Sequence, residues 1–217
     1  MESVLEPILH SPRLPEYFRE IEQHLRAEAE RRQKFYDEVS DDGKWEFIDG
    51  QVIMHSPAMN RHLYAVKHLT KLLDTFVSIR RLGVVHTEKC MCKFPRNDYE
   101  PDVVFFSREK AAAFNPKTML FPPPDLAVEV LSDSTAKHDR GVKFEDYEQH
   151  VGEYWIVDAD AEIVEQYVRR PEGYHLKIKA ATGALVSEAV AGFAVPVRAI
   201  FDEAENLQAL ESLLKQG

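Results

Sequence analysis

The chain has 217 residues, 44% of them hydrophobic, enough for one substantial core and, by length, for one domain. Its net charge of -10 counts against nonspecific coating of nucleic acid, which draws on clustered Lys and Arg, yet leaves room for a local basic groove. The longest apolar runs, Val103 to Phe106 and Leu126 to Leu131, fall far short of the roughly 20 residues a spanning helix needs, so no membrane segment is expected.

The N-terminus, Met1-Glu2-Ser3-Val4-Leu5-Glu6-Pro7, lacks the basic start and apolar stretch of a secretory signal. The two cysteines, Cys90 and Cys92, are two apart in an extended segment and point to one face, a geometry poorly suited to bridging. Both features predict a reducing, cytoplasmic location.

From Pro15 to about Val39, Glu, Arg, Gln and Ala dominate, and Phe18, Ile21, Leu25, Phe35 and Val39 form a helical stripe, predicting one or two amphipathic helices. Trp45 to Ile48 and Val52 to Met54 flank Asp49-Gly50, a dipeptide suited to the positive φ values of a tight hairpin. Leu63, Val66, Leu69, Leu73 and Phe76 recur at helical spacing between Asn60 and about Arg81, predicting a helix packed on a sheet. Extended segments follow over Val84 to Phe94 and Asp102 to Phe106, and the turn residues Pro95 to Asp98 between them predict a second hairpin. After Pro122-Pro123-Pro124, the run Asp125 to Leu131 reads as a buried central strand. A helix capped by Ser134 or Thr135 then runs to about His150, and a strand over Tyr154 to Val157 suggests parallel pairing. Ile163 to Val168, a Pro171-Glu172-Gly173 turn, Tyr174 to Lys179 and an amphipathic Glu203 to Leu214 complete the chain.

Glu129 sits inside the apolar run, sharing a strand face with Ala127 and Leu131. A carboxylate taken out of water costs several kcal/mol unless something positive compensates. Asp102, leading directly into Val103-Val104-Phe105-Phe106, raises the same question. Each alone is equally well read as structural: Asp102 at a solvent edge, Glu129 in a salt bridge. Together, two carboxylates on neighbouring strands can converge on a hard cation such as Mg²⁺. Lys143 shares a helix face with Asp139 and Tyr147, where it joins the site or makes a surface ion pair with Asp139. Glu46 is a weaker candidate, and His62 and His68 are secondary ones. His86, Glu88, Cys90 and Cys92 share a strand face, but their spacing does not match structural zinc sites, and packing or solvent exposure is expected instead.

Taken in order, Trp45-Glu46-Phe47-Ile48-Asp49-Gly50, Pro101-Asp102-Val103, Asp125 to Ser132 and Glu153 to Asp158 resemble the Uma-type restriction endonuclease family, a branch of the PD-(D/E)XK nuclease superfamily. The resemblance implies an α/β fold, a restriction-endonuclease-like mixed central β-sheet flanked by helices. It implies one nuclease-like domain over 1–217 with an N-terminal helical extension at about 1–40. Position by position, Asp102 matches the family's Pro-Asp, Glu129 its strand acid, Glu46 the acid of its first hairpin and Lys143 its helix-borne lysine. The superfamily lysine expected two residues after the glutamate is replaced by Leu131.

The expected reaction is metal-dependent phosphodiester hydrolysis, most simply of DNA. Asp102, Glu129 and the Val130 carbonyl would hold Mg²⁺ or Mn²⁺, Glu46 would assist with a water or second ion, and Lys143 would orient the nucleophile. A homodimer follows from the resemblance alone. Two other readings stay open: a non-catalytic nucleic-acid- or partner-binding module on the same fold, and a small-molecule phosphodiesterase.

Overall fold

The computed structural model describes residues 4–40 and 43–215. A short helix α1 (Glu6–Leu9) precedes the long α2 (Leu14–Glu38). The apolar stripe of α2 is used unevenly, because Phe35 is buried with Phe47 and Met91 while Phe18, Ile21 and Leu25 stay 63%, 49% and 46% exposed. Charge fastens the helix instead: Arg32 donates to both oxygens of Asp98 at 2.6 Å, and Arg96 forks onto Glu28 at 3.0 and 2.6 Å.

The strands β1 (Trp45–Ile48) and β2 (Gln51–Met54) form the expected hairpin, with Asp49 and Gly50 at φ +50° and +76°. Helix α3 (Asn60–Arg80) buries Val66, Leu69, Leu73 and Phe76, although Leu63 of the predicted stripe is exposed.

The next segment departs from expectation. Glu88 and Lys89 take φ +48° and +36°, and this corner splits the expected Val84 to Phe94 strand into β3 (Gly83–Thr87) and β4 (Met91–Lys93). Strand β4 pairs with β5 (Asp98–Tyr99) across the Pro95 turn, while β3 pairs antiparallel with β6 (Val103–Ser107). The predicted hairpin is therefore nested, and its two layers belong to different sheets.

A short α4 (Arg108–Ala111) and β7 (Leu120–Phe121) lead to β8 (Leu126–Val130), buried along its whole length as its composition predicts. Strand β9 (Glu153–Asp158) runs parallel to β8, as the helical crossover suggested. That crossover is two helices, α5 (Ala136–Asp139) and α6 (Val142–His150), parted at Arg140-Gly141. Thr135 precedes α5 without a side-chain cap; the Ser132 Oγ takes the Thr135 N–H at 3.3 Å. Strands β10 (Ile163–Arg170), β11 (Gly173–Ala180), β12 (Ala184–Val186) and β13 (Ala194–Pro196) follow, then a 3-10 turn and α7 (Glu203–Lys215).

The main sheet runs β11-β10-β9-β8-β6-β3 and the second β2-β1-β5-β4-β7, each mixing parallel and antiparallel neighbours. On one side of the main sheet, Leu69 and Phe76 of α3 and Leu213 of α7 join Val128 and Trp155 in a single core. A second core joins Tyr147 of α6 with Ile48, Phe94, Tyr99, Ala127 and Ile156. No helix among the described residues is long and apolar enough to cross a membrane.

The break between α5 and α6 is pinned to the sheet by Arg140, whose guanidinium forks onto Glu165 of β10 at 2.9 Å on each oxygen. Lys179 at 3.0 Å and the Tyr167 hydroxyl at 2.7 Å complete the cradle. The Arg140 bond is the main cause holding the Glu165 carboxyl at about 2. Its contribution to stability is therefore present above the ordinary carboxylate range and is lost as pH falls from about 4.5 to about 2. With the partly exposed partners discounted, Glu165→Gln is expected to cost about 1–2 kcal/mol at pH 7. Urea midpoints of the two proteins should differ by less than half as much at pH 3, and a pH-independent difference would refute the assignment.

Candidate active site

Glu46, Asp102, Glu129 and Lys143 come from four different places in the chain, and Glu46 and Glu129, one from each sheet, meet on Lys143. Strand alternation sets the first of them: Trp45 and Phe47 take one face of β1, so Glu46 and the preceding Lys44 take the other. Asp102 immediately precedes β6, Glu129 is the fourth residue of β8, and Lys143 lies in the first turn of α6.

Lys143 is the centre of one cluster. Its ammonium, 1% exposed, lies 2.9 Å from Glu46 Oε1, 3.0 Å from Glu129 Oε1 and 3.2 Å from Asp139 Oδ1. The Tyr147 hydroxyl donates to the same Glu129 oxygen at 2.9 Å. Asp139, Lys143 and Tyr147 thus keep the common helical face read from their spacing, even though the helix breaks at Arg140-Gly141. Glu46 is further bonded by His55 Nε2 at 2.9 Å and by the Glu100 N–H at 2.9 Å.

Asp102 is the centre of the other. One oxygen accepts the Val130 N–H at 2.7 Å; the other meets Lys44 Nζ at 2.5 Å and His62 Nε2 at 3.5 Å. Glu88 at the strand corner stands 3.8 Å from the same ammonium. The ligand-type atoms of His62, Glu88 and Asp102 all lie within 4.8 Å of one another.

Burial raises every carboxyl here, and the neighbours decide which way each one ends. Lys44 and His62 outweigh burial at Asp102 and hold it well below its ordinary range. Lys143 and His55 do the same for Glu46, which lies at about 2. Glu129 goes the other way: burial dominates, Asp139, Asp102 and Glu46 add repulsion, and Lys143 cannot offset them, so its carboxyl is pushed well up. Asp139 is raised for the same leading reason.

These groups back onto a cleft of about 470 Å³ lined by Lys44, His55, His62, Glu88, Asp102 and Glu129, with Ser132 to Thr135 along one wall. Lys143 and Glu46 do not line it; they stand behind its floor. Val130 presents its N–H to Asp102, and its side chain is buried in the core. Of the secondary histidines, His62 joins the site, whereas His68 is buried elsewhere with Nδ1 against the Ile200 carbonyl at 3.1 Å. His86 packs beside Phe106 and Phe121, and Cys90 and Cys92 are buried and free.

Not every buried acid belongs to the site. Glu153 is wholly buried in β9, yet it is satisfied by neutral donors: Trp155, Gln166, Ser187 and the N–H groups of Glu188 and Ala189, at 2.5–2.8 Å. It ties β9 to the chain around β12. Glu129 differs in having a lysine partner, three acidic neighbours and access to a cleft.

Lys44 and His55 are not singled out from the sequence, and Asp139 is read there only as a neighbour of Lys143, on a helix face that joins the site or in a surface ion pair. The signals were present: Lys44 shares strand parity with Glu46, and His55 lies two residues beyond Ile53, the cross-strand partner of Glu46. Glu88 was grouped with the His86 and Cys90 strand face, from which the positive-φ corner separates it.

A mixed sheet with acids from adjacent strands, backed by a helix-borne lysine, defines a restriction-endonuclease-like α/β protein. Residues 27–198 match the model of the Uma2 family, described as "Putative restriction endonuclease", and the chain belongs to that family. Among solved structures, the chain resembles the crystal structure of a "putative nuclease belonging to DUF820" from Anabaena variabilis ATCC 29413, with a TM-score of 0.68 at 16% identity. The match covers 80% of this chain and 97% of that one, and at this identity it speaks for the fold alone. No curated protein matches.

Proposed function

We propose that this protein is a metal-dependent endonuclease that hydrolyses phosphodiester bonds, with DNA as its substrate. The observation that carries the reading is the pair of carboxylates, Asp102 and Glu129, reaching one cleft from neighbouring strands with Lys143 bonded behind them.

The donor set fits a hard divalent cation. It supplies carboxylate oxygens, with an imidazole at His62, and Asp102 already carries a cationic partner on its cleft-side oxygen. The Glu129 carboxyl is raised chiefly by burial and then by Asp139, Asp102 and Glu46, and a cation bound beside it would favour its charged form. Asp102 and Glu129 would hold Mg²⁺ or Mn²⁺, with the carbonyl of Val130 as a further ligand. A bound ion supplies a lowered water pKa and neutralises charge as the in-line displacement develops.

The chain's own residues do the rest. The Val130 N–H fixes one oxygen of Asp102, leaving the other toward the cleft. Lys143 and Tyr147 fix Glu129 by two bonds to one oxygen, so Lys143 enters this reading as a positioning residue acting through that carboxylate. Glu46, which does not line the cleft, enters this reading as a positioning residue that shares Lys143 with Glu129.

The test is cleavage of supercoiled plasmid and single-stranded DNA with Mg²⁺, Mn²⁺ or EDTA. Nicking by the wild type should require the metal and fall by about 10³ or more in Asp102→Ala, a loss of about 4 kcal/mol of barrier lowering. Salt-dependent DNA binding without cleavage would transfer the site to a binding module. Turnover of simple phosphodiesters with duplex DNA untouched would make it a small-molecule phosphodiesterase.

A further inference from the structure

Lys44 touches the proposed metal-binding acid more closely than any other cation described in the site. It sits two residues before Glu46 on the same side of an extended segment, and its carbonyl accepts the His55 N–H at 3.0 Å, continuing the β1–β2 ladder past Trp45 and Met54. The backbone is therefore fixed, and the side chain, 15% exposed, is aimed into the cleft.

Its ammonium rests 2.5 Å from Asp102 Oδ1. The other Asp102 oxygen is held by the Val130 N–H, so the ammonium occupies the oxygen that faces the cleft. A divalent cation coming to that oxygen meets a positive charge at contact distance, and two cations cannot share it without strong repulsion. Glu88 Oε2, 3.8 Å from the same ammonium and half-exposed at the corner after β3, offers a second carboxylate to which it can move.

We propose that Lys44 is the resident counter-cation of Asp102, displaced when a divalent ion loads, and that it thereby sets the metal affinity of the site. The inference rests on the metal-dependent reading above. Lys44 is a positioning residue in this sense: without metal it keeps the buried Asp102 charge paired, and with metal it must yield.

The measurement is Mn²⁺ binding by calorimetry to the full chain without nucleic acid, for wild type, Lys44→Met, Lys44→Gln, Lys44→Arg and Asp102→Ala. Lys44→Met is expected to bind Mn²⁺ at least tenfold more tightly than wild type. Lys44→Gln, which keeps a hydrogen-bond donor for Asp102 and guards against misfolding of the methionine variant, should tighten in the same direction. Lys44→Arg, which keeps the charge, should stay within about threefold of wild type. Unchanged or weaker binding in both neutral variants would overturn the proposal, as would equal tightening in the arginine variant, since charge would then not be the cause. If Asp102→Ala loses the wild-type binding while the neutral variants match wild type, only the role of Lys44 falls. If no protein in the set binds Mn²⁺, the metal-dependent reading falls and the role of Lys44 with it.

Discussion

Replacing Lys143 by methionine is expected to cost the fold about 3–5 kcal/mol, one of the largest losses any single substitution here should cause. Methionine fills much of the same volume, so the loss is electrostatic rather than a cavity. The wild-type ammonium is buried among Glu46, Glu129 and Asp139 at 2.9, 3.0 and 3.2 Å, and burial alone would push its pKa down; the three carboxylates reverse this and hold it well above the ordinary lysine value. Without it, three buried acids repel one another, and they must take up protons or admit water. Guanidinium denaturation at pH 7 measures the loss directly. It should shrink as pH falls toward 5 and the orphaned carboxylates protonate, because the unpaired acids of the variant are then neutral in its folded state. A loss below 1 kcal/mol at pH 7 would mean that the cluster is wet enough not to need its lysine.

Glu129→Gln should behave in the opposite way. The Glu129 carboxyl is raised well above its ordinary range, chiefly by burial and then by Asp139, Asp102 and Glu46 against the pull of Lys143. A carboxyl whose folded pKa is raised costs stability as pH climbs from its unfolded value toward its folded one, so at pH 7 Glu129 is a net burden on the fold without added metal. The glutamine keeps an oxygen for Lys143 and Tyr147 and removes that burden. Its metal-free stability should match or exceed that of wild type, while DNA cleavage falls by about 10³ or more. At saturating Mn²⁺, wild type should gain roughly 5–10 °C in Tm and Glu129→Gln much less. A variant that is strongly destabilised without metal would return Glu129 to the class of structural ion pairs.

These two residues also mark how far the sequence can be read. The misfit of Glu129 within an apolar run and of Asp102 ahead of Val103 to Phe106 was visible in residue order, because a buried charge needs a partner in any fold. Identifying that partner was a different matter. Lys143 shares its helix face with Asp139 and Tyr147 in any α-helix, but whether that face meets β8 or solvent depends on how the crossover packs. The break at Arg140-Gly141, held by Arg140 on Glu165, decides it. Lys44 is harder still, since its partner lies 58 positions away across two sheets.

Periodicity and turn chemistry determined the elements themselves: the Asp49-Gly50 hairpin, α3, the buried β8, the parallel β9 and the final helix all follow from local rules of spacing and backbone freedom. Local rules do not say which sheet a strand joins. The corner at Glu88 and Lys89, which sends β3 and β4 into different sheets and sets Glu88 beside Asp102, was therefore settled by tertiary structure. The exposed stripe of Phe18, Ile21 and Leu25 teaches the same lesson, because an apolar face shows what can be buried and the packing shows what is. Residue order alone determined that two acids in apolar surroundings had to find partners. Long-range packing selected those partners, since the strength of a charge interaction depends on distance and burial, and neither is a property of one segment.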